Sequence, residues 1–83
     1  MQRDKAIYLL ENTKFDPNSQ QDFLNGLNVL AKYDENIIPE FDHDVCWASD
    51  FDKTITLMSR EEVIYMALCG WYYDDDNESW AHR

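Results

Sequence analysis

The chain has little to punctuate it. Gly occupies two of 83 positions, 26 and 70, and Pro two more, 17 and 39. So few breakers weigh against a β fold with many tight turns and favour helices. The two cysteines, Cys46 and Cys69, are too few for the disulfide framework of a small secreted domain. Cys69 stands in an apolar run and Cys46 beside Trp47, so both are expected to be buried thiols. Long apolar runs are missing as well. The stretch 63–73, free of charge and of Asn or Gln, falls far short of the ~20 residues a membrane span needs. Met1-Gln2-Arg3-Asp4-Lys5 leads into no signal-peptide core, and the expected compartment is the cytoplasm. Scarcest of all is positive charge: 7 Lys+Arg stand against 17 Asp+Glu, for a net charge of -10. A polyanion releases no counterions on meeting another, which excludes direct nucleic-acid binding and disfavours an anionic membrane surface.

What remains is 45% apolar residues and 14% aromatics, enough for one small core without metal or disulfide staples. The expectation is a single domain over residues 1–83, with 71–83 as an aromatic and acidic tail whose order the sequence leaves open. Asp4 is a plausible N-cap for a first helix running to about Thr13, with Ala6, Ile7, Leu9 and Leu10 at helical spacing. Residues 14–18, Lys-Phe-Asp-Pro-Asn, break it. Ser19, with Asp22 three residues on, caps a second helix with a stripe of Phe23, Leu27, Leu30 and Ala31. Gly26 inside that helix costs about 1 kcal/mol against Ala, which suggests a close packing contact. Pro39 suits the first turn of a third helix with Phe41, Val45 and Ala48 inward. Ser59-Arg60-Glu61-Glu62 forms a capping box opening a fourth, with Val63, Ile64, Ala67 and Leu68 apolar and Gly70 as a left-handed stop. Residues 54–58 read as a short extended segment. The fold class is therefore mainly α, a bundle of about four short helices.

The charge is segregated. Residues 1–32 hold four bases and four acids, so the whole -10 lies in residues 33–83, with thirteen acids and three bases. Same-sign crowding destabilises a compact state by self-repulsion, and tolerating it suggests a use for the field. A third helix would hold Glu40 and Asp44 one turn apart, about 5–6 Å, near the spacing of successive phosphates. The expected partner-binding set is Asp34, Glu35, Glu40, Asp42, Asp44, Asp50, Asp52, Asp74, Asp75, Asp76 and Glu78, with Trp71, Tyr72 and Tyr73 as aromatic anchors.

A small, acidic, aromatic-bearing chain of this kind resembles the phage and plasmid DNA-mimic inhibitors of bacterial defence, of antirestriction and anti-CRISPR type. A likeness in order to Ocr-type antirestriction proteins runs through Leu10-Glu11-Asn12, Asp16, Asp22, Ile38-Pro39, Asp44-Val45 and Ala48-Ser49. The resemblance implies a non-enzymatic inhibitor that occupies the basic groove of a nucleic-acid-binding host protein, such as a nuclease or CRISPR effector. The alternative is a small cytosolic helical adaptor that docks a protein partner through its aromatic surface, with acidity serving solubility.

Other motifs weigh less. Asp50-Phe51-Asp52-Lys53-Thr54 resembles the first motif of haloacid-dehalogenase-type phosphatases, but the chain after it shows no βαβ pattern. Asp50, Asp52, Thr54, Thr56 and Glu61 also fall at calcium-loop positions 1, 3, 5, 7 and 12. Position 6, where the turn demands Gly, is Ile55. Asp42-His43-Asp44 has no further ligand at diagnostic spacing. No Ser/His/Asp set, phosphate loop or CxxC pair occurs, so neither catalysis nor a cofactor or metal is expected.

Overall fold

The computed structural model describes residues 1–14 and 22–83. Of the expected break at residues 14–18, positions 15–18 lie outside the described residues, as does the Ser19 cap. Helix α1 spans Arg3–Glu11 and buries Ala6 and Leu9. Asp4 stands inside its first turn, where a carboxylate complements the helix dipole, rather than at the cap. Helix α2, Asp22–Tyr33, turns Leu30 fully inward and leaves Phe23 and Leu27 half-buried, while Ala31 is exposed.

The Ser59 signal opens helix α4, Arg60–Leu68. Ser59 Oγ accepts the Glu62 N–H at 3.2 Å, and a Glu62 carboxylate oxygen accepts the Ser59 N–H at 3.0 Å. At its other end Gly70 takes φ 87. The Gly70 N–H then reaches Ala67 O and the Trp71 N–H reaches Met66 O, both at 3.0 Å. This is the left-handed cap that only Gly adopts without cost, and it satisfies two carbonyls the helix end would orphan.

The expectation of a mainly helical bundle is overturned. Among the described residues, beside four helices, the chain builds a four-stranded antiparallel sheet of order β1-β2-β4-β3. Its strands are β1 (Glu40–Asp42), β2 (Val45–Asp50), β3 (Tyr72–Asp74) and β4 (Ser79–His82). The third helix expected from Pro39 to Ala48 is instead the β1–β2 hairpin, with Phe41 opposite Cys46 and Asp42 opposite Val45. Two residues, His43 and Asp44, make the turn, and His43 takes φ 53 to do it. Glu40 and Asp44 consequently do not share a helical turn. The tail of open order is the β3–β4 hairpin, closed by a turn over residues 75–78 with Glu78 at φ 51. The expected extended segment at 54–58 is also absent: Thr54 and Ile55 end a third, short helix α3, Phe51–Ile55, capped by Asp50 Oδ1 accepting the Lys53 N–H at 2.9 Å.

Among the described residues α1, α2 and α3 pack against the sheet, and α4 packs on α1 and α2. Trp80, from β4, is fully buried between Phe51 and Thr54, donating its indole N–H to Thr54 Oγ1 at 2.7 Å. Tyr73, from β3, packs on Phe51 with centroids 4.4 Å apart. His82 meets Phe23 of α2 and Trp71 edge-on, with Nε2 2.9 Å from Cys69 O. Trp71 stacks on Phe23 at 5.5 Å and fills the space over Gly26, the close contact the sequence suggested. Cys46 and Cys69 are buried free thiols, and burial pushes the Cys46 thiol up. No helix among the described residues is long and apolar enough to cross a membrane.

Candidate functional site

Among the described residues no helix covers the opposite face of the sheet, where Glu40 and Asp50 are exposed, Trp47 and Tyr72 half-buried and Ala81 buried. Residues paired across strands project to the same side. The register therefore lays Glu40, Trp47, Ala81 and Tyr72 in one row across all four strands. A second row holds Asp50, Ser79 and Asp74, because an irregularity in β2 between Trp47 and Asp50 returns Asp50 to the outer face.

The centre of this face is tied together by Asp74. It accepts hydrogen bonds from the Trp47 indole N–H and from Asn77 Nδ2, and its other oxygen accepts the Asp76 N–H at 3.0 Å. These donors, Asn77 foremost, hold the Asp74 carboxyl below the usual carboxylate range. Beside them lies an open groove of about 660 Å³ with Trp47, Ala48 and Ser49 on its floor. Glu40, Asp42, Asp50 and Glu78 supply its carboxylates, and Ile38 and Phe41 stand on its rim at 75% and 71% exposure. No Lys, Arg or His lines it among the described residues.

The bases are engaged elsewhere. Arg3 grips Asp52, with Nε donating to Oδ1 at 2.8 Å and a second donor on Oδ2, and holds the Asp52 carboxyl low. It also comes within 3.9 Å of Glu78. Lys32 bonds Glu62 at 2.9 Å, and Lys53 lies 4.0 Å from Asp34. Among the described residues no Lys or Arg comes within ion-pair distance of Glu35, Glu40, Asp42, Asp44, Asp50, Asp75 or Asp76. The imidazole of His43, 3.5 Å from Asp42, is the nearest basic group to the β1–β2 turn.

The expected site residues thus divide. Glu40, Asp42, Asp50, Asp74 and Glu78 come together on or beside the outer face, with Asp44 on the β1–β2 turn and Asp75 and Asp76 on the β3–β4 turn. Asp34 turns inward to accept the Ser49 hydroxyl at 2.8 Å, and Asp52 is occupied by Arg3. Glu35 is exposed, but apart from the groove. Trp71 is 2% exposed and offers no surface to a partner; Tyr72 and Tyr73 are half-buried. Sequence reasoning missed Trp47, Ile38 and Phe41 as lining residues. Only strand alternation, with Trp47 in phase with acidic neighbours on β1, carries that signal, and it shows only once the pairing is known.

Where the two tempting motifs overlap, Asp50 caps α3, Asp52 is bound to Arg3, and Thr54 is fully buried and accepts the Trp80 indole N–H. No group of three or more His, Cys, Asp or Glu among the described residues is placed to hold a metal. Compared with protein-family models, curated proteins and solved structures, the chain matches none.

Proposed function

We propose that this chain is a nucleic-acid mimic. It inhibits a DNA- or RNA-binding protein by laying its acidic outer sheet face into the groove where phosphates would lie. The single observation that supports this reading most is the segregation of carboxylates from Lys and Arg. Glu40, Asp42 and Asp50 line a groove that contains no base, with Asp44 on the β1–β2 turn, while Arg3, Lys32 and Lys53 are spent on other acids. Glu40 and Asp42, two residues apart on one strand, stand about 6.7 Å from one another along it, close to the step between successive phosphates. Trp47, Ile38 and Phe41 add the apolar area that anchors an interface between its charged contacts. The resemblance to anti-defence inhibitors points first to a defence nuclease or CRISPR effector as the target.

The adaptor reading rests on the exposure of Ile38 and Phe41 and keeps the acids for solubility. Salt separates the two, because screening weakens charge-steered binding and leaves apolar docking intact or stronger. The test is capture of partners from a bacterial lysate on the immobilised protein, with elution by duplex DNA and by a salt gradient. The expected result is a nucleic-acid-binding protein released by both and not retained by the Glu40→Lys/Asp42→Lys/Asp44→Lys variant. A partner that ignores DNA and binds the triple variant equally overturns the proposal.

A further inference from the structure

The sheet has two edges, and they are built differently. β1 and β3 are each three residues long, but β1 is exposed, preceded by Pro39 and carries Glu40 and Asp42 on its outer side, features that discourage another strand from pairing. β3 has none of this protection within it except Asp74, whose carboxylate is engaged by Trp47 and Asn77. Its side away from β4 carries no strand. Along that side runs a second groove, of about 520 Å³, lined by Ile7, Leu10 and Glu11 of α1 and by Tyr72, Tyr73 and Asp75.

The lining says where this groove lies. Successive strand residues point to opposite faces, so a space that touches both Tyr72 and Tyr73 follows the edge of β3 rather than either face. One wall is therefore a strand edge with unshared backbone donors and acceptors, and the other is the apolar flank of a helix. We propose that this groove takes an extended peptide segment, alternating apolar and basic side chains, as a fifth strand beside β3. The apolar side chains rest against Ile7 and Leu10. Lys or Arg side chains meet Glu11 and Asp75, and no base lines the groove among the described residues. β3 offers about 10 Å of edge, enough for a footprint of roughly three or four residues. A second copy of this chain is the poorer occupant, since it brings Asp74 and Asp75 of its own against the same carboxylates at a net charge of -10. The surface is distinct from the outer-face groove, so the two proposals fail independently.

The experiment titrates the full chain with a capped peptide alternating Lys and Val, followed by backbone amide shifts. The same peptide N-methylated at alternate residues serves as a control of equal charge. The expected result is a set of shifts confined to Ile7–Glu11 and Tyr72–Asp75. N-methylation should weaken binding by about tenfold, the loss of two ladder hydrogen bonds. Glu11→Lys/Asp75→Lys, two exposed positions, should weaken it several-fold, while Glu40→Lys/Asp42→Lys should leave it unchanged. Equal binding of the N-methylated peptide, or shifts spread over Glu40–Asp44 instead, overturns the proposal. A concentration-dependent dimer in sedimentation that shifts the same β3 amides overturns it in favour of a second copy.

Discussion

The indole of Trp71 lies so close over Gly26 that a Cβ at that position would clash with its Nε1 and Cδ1. Trp71 is one of the largest fully buried side chains and is held between Phe23 and His82, so it has no room to retreat. Gly→Ala inside a helix ordinarily stabilises by about 1 kcal/mol. Here the sign reverses. Gly26→Ala is expected to destabilise by about 1–3 kcal/mol or more through overpacking, read as a fall in the urea midpoint at constant slope. An unchanged or raised midpoint would mean the ring moves aside freely.

A second prediction concerns pH. Burial raises the Glu62 carboxyl, but the Tyr33 hydroxyl, the Ser59 amide and the Lys32 ammonium outweigh it and hold it at about 2. The same contact raises the Tyr33 hydroxyl. A carboxylate with a depressed folded-state value contributes stability that is complete above its unfolded value, about 4.3, and lost as pH falls towards 2. With the side chain 20% exposed, that contribution is at most on the order of 3 kcal/mol. Glu62→Gln should therefore lose stability at neutral pH and unfold with a flatter dependence between about pH 4.3 and 2. Parallel curves for the two proteins would show that Glu62 is not the linked group. The comparison between them is needed because protonating the exposed acids relieves self-repulsion and acts in the opposite direction.

Thr54 offers a third test. Its hydroxyl is fully buried, donates to the backbone oxygens of Asp50 and Phe51 at 3.0 Å and accepts the Trp80 indole N–H. Val has nearly the same shape and no acceptor. Thr54→Val strands a buried N–H and should cost about 1–3 kcal/mol, a fall in Tm of roughly 4–8 °C per kcal/mol in a domain of this size. An unchanged Tm would show that the bond contributes nothing to the fold.

The outer-face field can be read directly in fluorescence. Trp71 and Trp80 are buried, which leaves Trp47 as the accessible indole, and it sits among carboxylates. Caesium ions should quench it more strongly than iodide, because the local potential gathers cations and repels anions. The difference should collapse near 1 M salt, where the Debye length is about 3 Å, and the quenchable fraction should vanish in Trp47→Phe. Equal quenching by both ions at low salt would show that the groove carries no field of consequence.

How legible all this was depended on the range of the interactions. The Ser59–Glu62 box, the Gly70 stop and the Gly26 contact are set within a few residues or by a single missing side chain, and the sequence displayed each of them. Residues 39–48 were misread because Phe41, Val45 and Ala48 happen to fall at helical spacing. What makes them a hairpin is pairing with β4, which begins 29 residues after β2 ends, together with a positive φ at His43 that no local pattern announces. The row of acids survived that error in part. Glu40 and Asp42 share a face of a strand instead of a helix, and Trp47 joins them only through the register. Asp34 and Asp52 belonged to the same charge run but were drawn to Ser49 and Arg3, contacts that composition cannot reveal.

The one-sided sheet has a consequence for how this protein can change. Side chains on the helix-facing side, from Cys46 to Trp80, interlock with rings that tolerate little change in volume. Exposed positions across the sheet, such as Glu40 and Asp42, touch little else, and substitutions there typically shift stability by no more than about 0.5 kcal/mol. The fold therefore separates what must be inherited intact from what can be rewritten. A lineage could retune the solvent face to a new binding surface, residue by residue, without reopening the problem of how the chain folds.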